Sequence, residues 1–120
     1  MNWKGIRYFK RHEFGQGDEG VEPDQTLVEL LDDARHIAGI PFVINSGGGL
    51  RTTERNAEIE GASENSAHLR GYAADIRAPT GRQKYLIMQA ALEVGFRRIG
   101  VYRNHIHLDT DPDLPQDVIW

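Results

Sequence analysis

The sequence predicts an α+β domain: a small, mostly antiparallel sheet with helices on one face. Three observations carry that expectation. Two stretches, "DQTLVELLDDARHIAGI" and "PTGRQKYLIMQAALEVGF", repeat apolar residues at helical spacing. Two short runs, "RIGVY" and "HIHLD", are separated by Arg103-Asn104, which suits a hairpin turn. The order helix, strand, short helix, strand, helix, hairpin lacks the regular βαβ alternation of a parallel sheet.

In chain order, the first helix should bury Leu27, Leu30, Leu31, Ala34, Ile37 and Ala38. Thr26 with Glu29 fits a capping box, Asp24 is a second capping candidate, and Gly39 a stop. "PFVIN" reads as a short strand with Pro41 at its start, and "SGGGL" as a loop. "TTERNAEIEG" reads as a short helix capped by Thr52 or Thr53 and ended by Gly61. "GYAADIRA" alternates, with Tyr72, Ala74 and Ile76 on one side and Ala73, Asp75 and Arg77 on the other. The second long helix starts near Thr80 and ends at Gly95. Tyr85, Leu86, Met88, Ala90, Leu92 and Val94 are its expected core residues. The stretch 111–120, "DPDLPQDVIW", should be extended and pinned by Trp120.

The totals narrow the function classes. A chain of 120 residues, 39% hydrophobic and 27% charged, fits one domain over 1–120 with its own core. Without cysteine there is no disulfide, no thiolate nucleophile and no thiolate metal site; a metal would need His, Asp or Glu. A net charge of −4 argues against general nucleic-acid binding, and the arginines of "FRRIGVYR" read as a solvated edge. "MNWKGIRYFKRHEF" has neither the apolar run of a signal peptide nor that of a membrane span.

Two segments carry chemistry: "SAHLRGYAADI" and "HIHLD". On the last strand Ile106 and Leu108 form the apolar side, with His105, His107 and Asp109 opposite. If Ile76, Ile106 and Leu108 share one core, Asp75 and His107 share the other face. His68 reaches that face from a loop kept close by Gly71, Ala73 and Ala74. Two imidazoles and a carboxylate then converge, a ligand set that leaves a fourth metal position open. His12 and His36 read as surface histidines. Neither half of the pattern is diagnostic by itself.

At these residues the sequence resembles the zinc D-alanyl-D-alanine carboxypeptidase family. That family includes phage endolysin peptidases and shares its fold with the hedgehog signalling domain. The family pattern is Ser-x-His, then Gly-x-Ala-x-Asp, then in one branch His-x-His; here it reads "SAHLRGYAAD" and "HIH". "LVELLDDAR", "GIPFVINSG" and "ALEVGFRRIGVY" extend the resemblance over roughly residues 9–110. It implies one Zn2+ held by His68, Asp75 and His107, with His105 as the catalytic histidine. Other branches place a glutamate three residues before the last ligand, where this chain has Asn104. Asp109 would orient one of the histidines, or else be an exposed end-of-strand aspartate. The family arginine follows the first strand in a Ser-Gly-aromatic-Arg segment. "SGGGLRTTER" is two residues longer and lacks the aromatic. Arg51 is the best match for that arginine or merely solvates the loop; Arg55 and Arg70 are alternatives. Ser66 would shape its loop rather than act as a nucleophile, since no base is spaced to activate it.

The implied reaction is hydrolysis of peptide bonds in peptidoglycan stem or cross-link peptides, by a carboxypeptidase or an endopeptidase. The expected partner is that peptide, with no nucleic acid, no membrane and a monomeric chain. Without a signal peptide, the expectation is a phage- or prophage-encoded protein made in the cytoplasm that meets the cell wall after release. A lysostaphin-type endopeptidase also uses His, Asp and His-x-His, but the seven-residue step from His68 to Asp75 favours the carboxypeptidase type. Phosphodiesterases with paired His-x-Thr motifs lack a match. A zinc-holding structural or binding module of the same fold is the non-enzymatic alternative.

Overall fold

A computed structural model describes residues 1–59, 61, 63 and 65–120. After a 3₁₀ turn at Arg11–Phe14 comes helix α1, Gln25–Ala38. Asp24, not the Thr26–Glu29 pair, caps it: its carboxylate accepts from the Leu27 amide at 3.0 Å. Gly39 closes it in the left-handed conformation. Leu27, Val28, Leu31 and Ala34 are buried, while Ile37 in the last turn is 47% exposed.

"PFVIN" pairs with the sheet less than expected. It makes one bridge, Ile44 to Ile76, flanked by Arg77 N to Val43 O (2.8 Å) and Asn45 N to Asp75 O (3.0 Å). The glycine loop turns the chain away before a strand can propagate. Helix α2, Thr53–Glu58, is capped by Thr52 and stops short of Gly61; Glu60 lies outside the described residues. A second 3₁₀ turn, Ala67–Arg70, ends at Gly71, whose φ of 81° and contact with the Glu22 carbonyl leave no space for a Cβ.

Strand β1 is Ala73–Arg77 and helix α3 is Gly81–Val94, started by a Thr80–Gln83 capping box. The buried stripe of α3 is Ile87, Ala90 and Ala91, with Met88 and Val94 packed beside it; Tyr85 and Leu92 face outward. Strands β2 (Arg98–Val101), β3 (His105–Asp109) and β4 (Val118–Ile119) complete the sheet. Its order is β1-β3-β2-β4, antiparallel except for the β2–β4 pair. Within 111–120, expected to be extended, the chain turns at 112–113 and bends at 114 and 116–117, with Asp117 at a φ of 60°; only Val118–Ile119 is a strand, and it pairs parallel to β2.

The registers decide what each face carries. Ile76 pairs with Ile106 and Ala74 with Leu108, and all four are fully buried. With Ile99 they meet Leu27, Val28 and Leu31 of α1 and Ile87, Ala90 and Ala91 of α3 in one core. Each fully buried aliphatic side chain contributes about 1.5–3 kcal/mol of transfer free energy. Leu31→Ala should cost about 2–5 kcal/mol. The helices fill this face, so the opposite one is left for the polar residues.

Candidate functional site

Asp75 and His107 are direct cross-strand partners in the β1–β3 register, which puts both on the face away from the helices. His68 arrives from the 3₁₀ turn. Ser66 caps that turn, its hydroxyl accepting from the His68 amide at 3.3 Å, which is the loop-shaping part expected of it. One ligand atom from each of His68, Asp75 and His107 lies within 4.8 Å of the others, and all three residues are buried or nearly so.

The imidazole tautomers follow from the outer partners. His68 Nδ1 is 2.9 Å from the Gly49 carbonyl, so it carries the proton and donates, leaving a lone pair on Nε2. That lone pair meets Asp75 Oδ1 at 3.4 Å. His107 Nε2 is 2.6 Å from Asp109 Oδ2 and donates to it; Nδ1 then faces Asp75 Oδ1 at 3.0 Å. Electron-rich atoms this close need a proton or a cation between them. The donor set thus fits a metal ion, and the histidines are already oriented by a carbonyl and a carboxylate.

The ionisation of the group follows from the same contacts. Burial disfavours the Asp75 carboxylate, yet the histidine hydrogen bonds outweigh it and hold its pKa well below the usual range. Burial likewise opposes charge on His107, but Asp109 and Asp75 win and raise its pKa above 6.5. In Asp109, burial is overcome by His107 and the pKa falls. His105 goes the other way: burial lowers its pKa, Asp75 opposes this without reversing it, and His107, His68 and Lys84 add to the lowering.

His105 stands beside the three rather than among them. Its Nε2 is 3.8 Å from Asp75 Oδ1, and its side chain is 27% exposed. Tyr102 stacks on it at 4.5 Å and 8°. All four residues line a cleft of about 550 Å³ together with Arg51, Ser66, Tyr102 and Trp120.

Of the three arginine candidates, Arg51 is the one in the cleft. It is buried, its Nη1 donates to Asn56 Oδ1 at 3.0 Å, and its Nη2 is 4.0 Å from Asp75 Oδ2. Arg55 turns outward to Glu58, and Arg70 is taken by Asp111 and Asn65. Asp109 is 1% exposed and bonded to His107, not an exposed strand end. His36, which the sequence leaves without a partner, bonds to the Tyr8 hydroxyl at 2.7 Å.

Arg98 corrects the reading of "FRRIGVYR" as a solvated edge. It is buried, donating to Asp109 Oδ1 at 2.7 Å and to the Pro115 carbonyl at 2.6 Å. The signal was in the hairpin: a two-residue turn at Arg103-Asn104 sets Arg98 opposite Asp109. Asn56, Tyr102 and Trp120 carried no comparable local pattern.

The family model of peptidase M15 matches residues 8–109, most of the chain and every residue of the His-Asp-His group. The chain belongs to the peptidase M15 family. The resemblance drawn from "SAHLRGYAAD" and "HIH" is thereby borne out, and the matched span nearly coincides with the 9–110 it suggested. Among curated proteins, none matches the chain. As an M15 peptidase domain the chain is a metallopeptidase, with His68, Asp75 and His107 as a group able to hold the metal. Trp120 lies beyond the matched span.

Proposed function

We propose that the chain is a zinc peptidase that hydrolyses peptide bonds in the stem or cross-link peptides of bacterial peptidoglycan. One observation carries the reading: His68 Nε2, Asp75 Oδ1 and His107 Nδ1 converge at an open cleft, with a third histidine, His105, beside them. A histidine–carboxylate set is among the usual ligands of zinc, and His107 Nδ1 and His68 Nε2, 3.0 and 3.4 Å from Asp75 Oδ1, would hold such an ion together with that carboxylate.

When bound, the ion supplies Lewis acidity and a water whose pKa falls to about 7. His105 holds the proton-handling position. Its lowered pKa keeps it neutral at neutral pH, so Nε2 accepts a proton from the attacking water and returns it to the leaving amine. Tyr102 fixes the plane of that ring by stacking. Arg51, held by Asn56, presents its guanidinium to a substrate carboxylate or carbonyl. Asp109 keeps the His107 proton on Nε2, so Nδ1 stays available to the metal.

The test is to purify the protein, measure bound metal and follow peptide release from peptidoglycan by mass spectrometry. Zinc at one ion per chain and defined peptide products support the reading. A zinc-loaded protein that releases nothing from any peptidoglycan would instead favour a zinc-stabilised binding module.

A further inference from the structure

One residue of the cleft wall, Trp120, lies beyond the span that the M15 match covers. Trp120 follows β4, and its backbone joins the sheet edge: its amide donates to Ile99 O at 3.0 Å and its carbonyl accepts from the Val101 amide at 2.6 Å. The ring is fixed as well. Its Nε1 donates to the Tyr102 hydroxyl at 2.7 Å, and the Arg98 guanidinium lies 5.0 Å from its centre. The ring lies over Gly100, where a Cβ would come within 2.8 Å of both Trp120 and Tyr102. On its site side it stands 5.3 Å from the His107 ring.

Trp120 is thus held by backbone and ring contacts, the one polar atom of its side chain is satisfied, and the residue lines the cleft while 44% exposed. Tyr102, 43% exposed, continues the same wall to His105. A pre-ordered aromatic surface gives a ligand contact area without a further loss of side-chain entropy. The Trp120 face offers no charge and no free donor, and the Tyr102 hydroxyl, which accepts from Nε1, keeps its own proton for a ligand acceptor, so the wall suits an aliphatic side chain or a peptide plane.

We propose that Trp120, backed by Tyr102, is a substrate-binding wall that packs against the residue flanking the bond to be cut and selects small or aliphatic side chains there. The inference rests on the peptidase reading above for its substrate class. Binding to this wall is a ground-state interaction, so its loss falls on KM.

The experiment uses the zinc-loaded full chain and a synthetic stem pentapeptide ending in D-alanyl-D-alanine. Trp120→Ala should raise KM at least about tenfold with kcat within about threefold, whereas Trp120→Phe should stay near wild type. Zinc content should be unchanged in both. Trp3 does not line the cleft, so Trp3→Phe leaves Trp120 as the only tryptophan, and its fluorescence should change saturably with added peptide. An unchanged KM in Trp120→Ala overturns the wall while leaving the peptidase standing. Loss of zinc from Trp120→Ala with unchanged KM for the zinc-loaded fraction also overturns it, making the ring a shield for His107. If the wild type binds the peptide by fluorescence but cleaves no peptide, the peptidase reading fails and the wall survives.

Discussion

His107 Nε2 lies 2.6 Å from Asp109 Oδ2, two residues along the same strand, and Arg98 holds the other oxygen of that carboxylate at 2.7 Å. The pair turns a surface-facing strand residue into one with a single available nitrogen. Asp109→Asn should therefore weaken zinc binding by about 10–100-fold, read by competition with a chromogenic chelator. Asp109→Ala should also strand the buried Arg98 and cost about 3–5 kcal/mol in urea unfolding of the metal-free protein. Unchanged zinc affinity in Asp109→Asn would remove this carboxylate from the design.

The division between ligands and catalytic histidine gives a second prediction. His68→Ala and His107→Ala should lose metal. His105→Ala should retain it and lose about 10²–10⁴-fold in kcat. Metal content by elemental analysis and turnover on the same preparations check both. Zinc lost from His105→Ala but kept by His68→Ala would reverse the assignment.

Much of this arrangement was legible in the sequence, for a physical reason. Strand alternation is local, so Ile106 and Leu108 fix the side on which His107 stands, and the spacing from His68 to Asp75 needs only a short turn. The face of α3 was not legible. Tyr85 to Leu92 is nearly all apolar, so periodicity cannot choose between stripes, and the small Ala90 and Ala91 win by allowing α1 to approach. Ile37 sits on the stripe of α1 but in its last turn, beyond the buried part. Trp120 reaches the cleft through parallel pairing of β4 with β2, a contact for which no short window of sequence has a signal.

Protons and metal compete for His107, which sets a pH dependence of opposite sign in the two forms. In the metal-free protein Asp109 and Asp75 raise its pKa above 6.5, so charged His107 contributes stability that is complete below 6.5 and lost as pH rises through the raised value. Zinc affinity should climb over that same interval, because the proton on Nδ1 must leave. Urea unfolding of the metal-free protein and zinc titrations between pH 6 and 8 (in roughly half-unit steps) test the pair of trends. Zinc affinity flat across the interval would contradict the competition.

Arg51 gives the fourth prediction. Its Nη1 is tied to Asn56, and its Nη2, 4.0 Å from Asp75 Oδ2, makes no hydrogen bond among the described residues. A planar, forked donor with an unfilled position suits a carboxylate, and a lysine cannot copy it. Arg51→Lys should raise KM by about tenfold or more for a substrate with a free carboxylate, and Asn56→Ala should move KM the same way by less. Equal losses on an amidated substrate would mean that Arg51 does not read the carboxylate.

The glycines of "SGGGL" separate two kinds of cost. Gly47 has a φ of 73° and open space, with nothing within 4 Å, where a Cβ would stand, so Gly47→Ala should cost only the left-handed penalty, about 1–2 kcal/mol. At Gly49 a Cβ would fall 2.5 Å from the Phe14 carbonyl oxygen, which accepts from the Leu50 amide at 2.7 Å. Gly48 is similarly confined, 2.9 Å from the Asp75 Cβ, and its carbonyl accepts the Asp75 amide at 2.7 Å. The loop is glycine-rich because it must touch backbone on both sides while aiming the Gly49 carbonyl at His68 Nδ1. Gly49→Ala should thus destabilise more than Gly47→Ala and also lower zinc affinity by about tenfold, by releasing the His68 ring. Thermal unfolding with and without zinc compares the two variants. Equal losses would show that Gly49 acts through backbone conformation alone and not through the histidine that it orients.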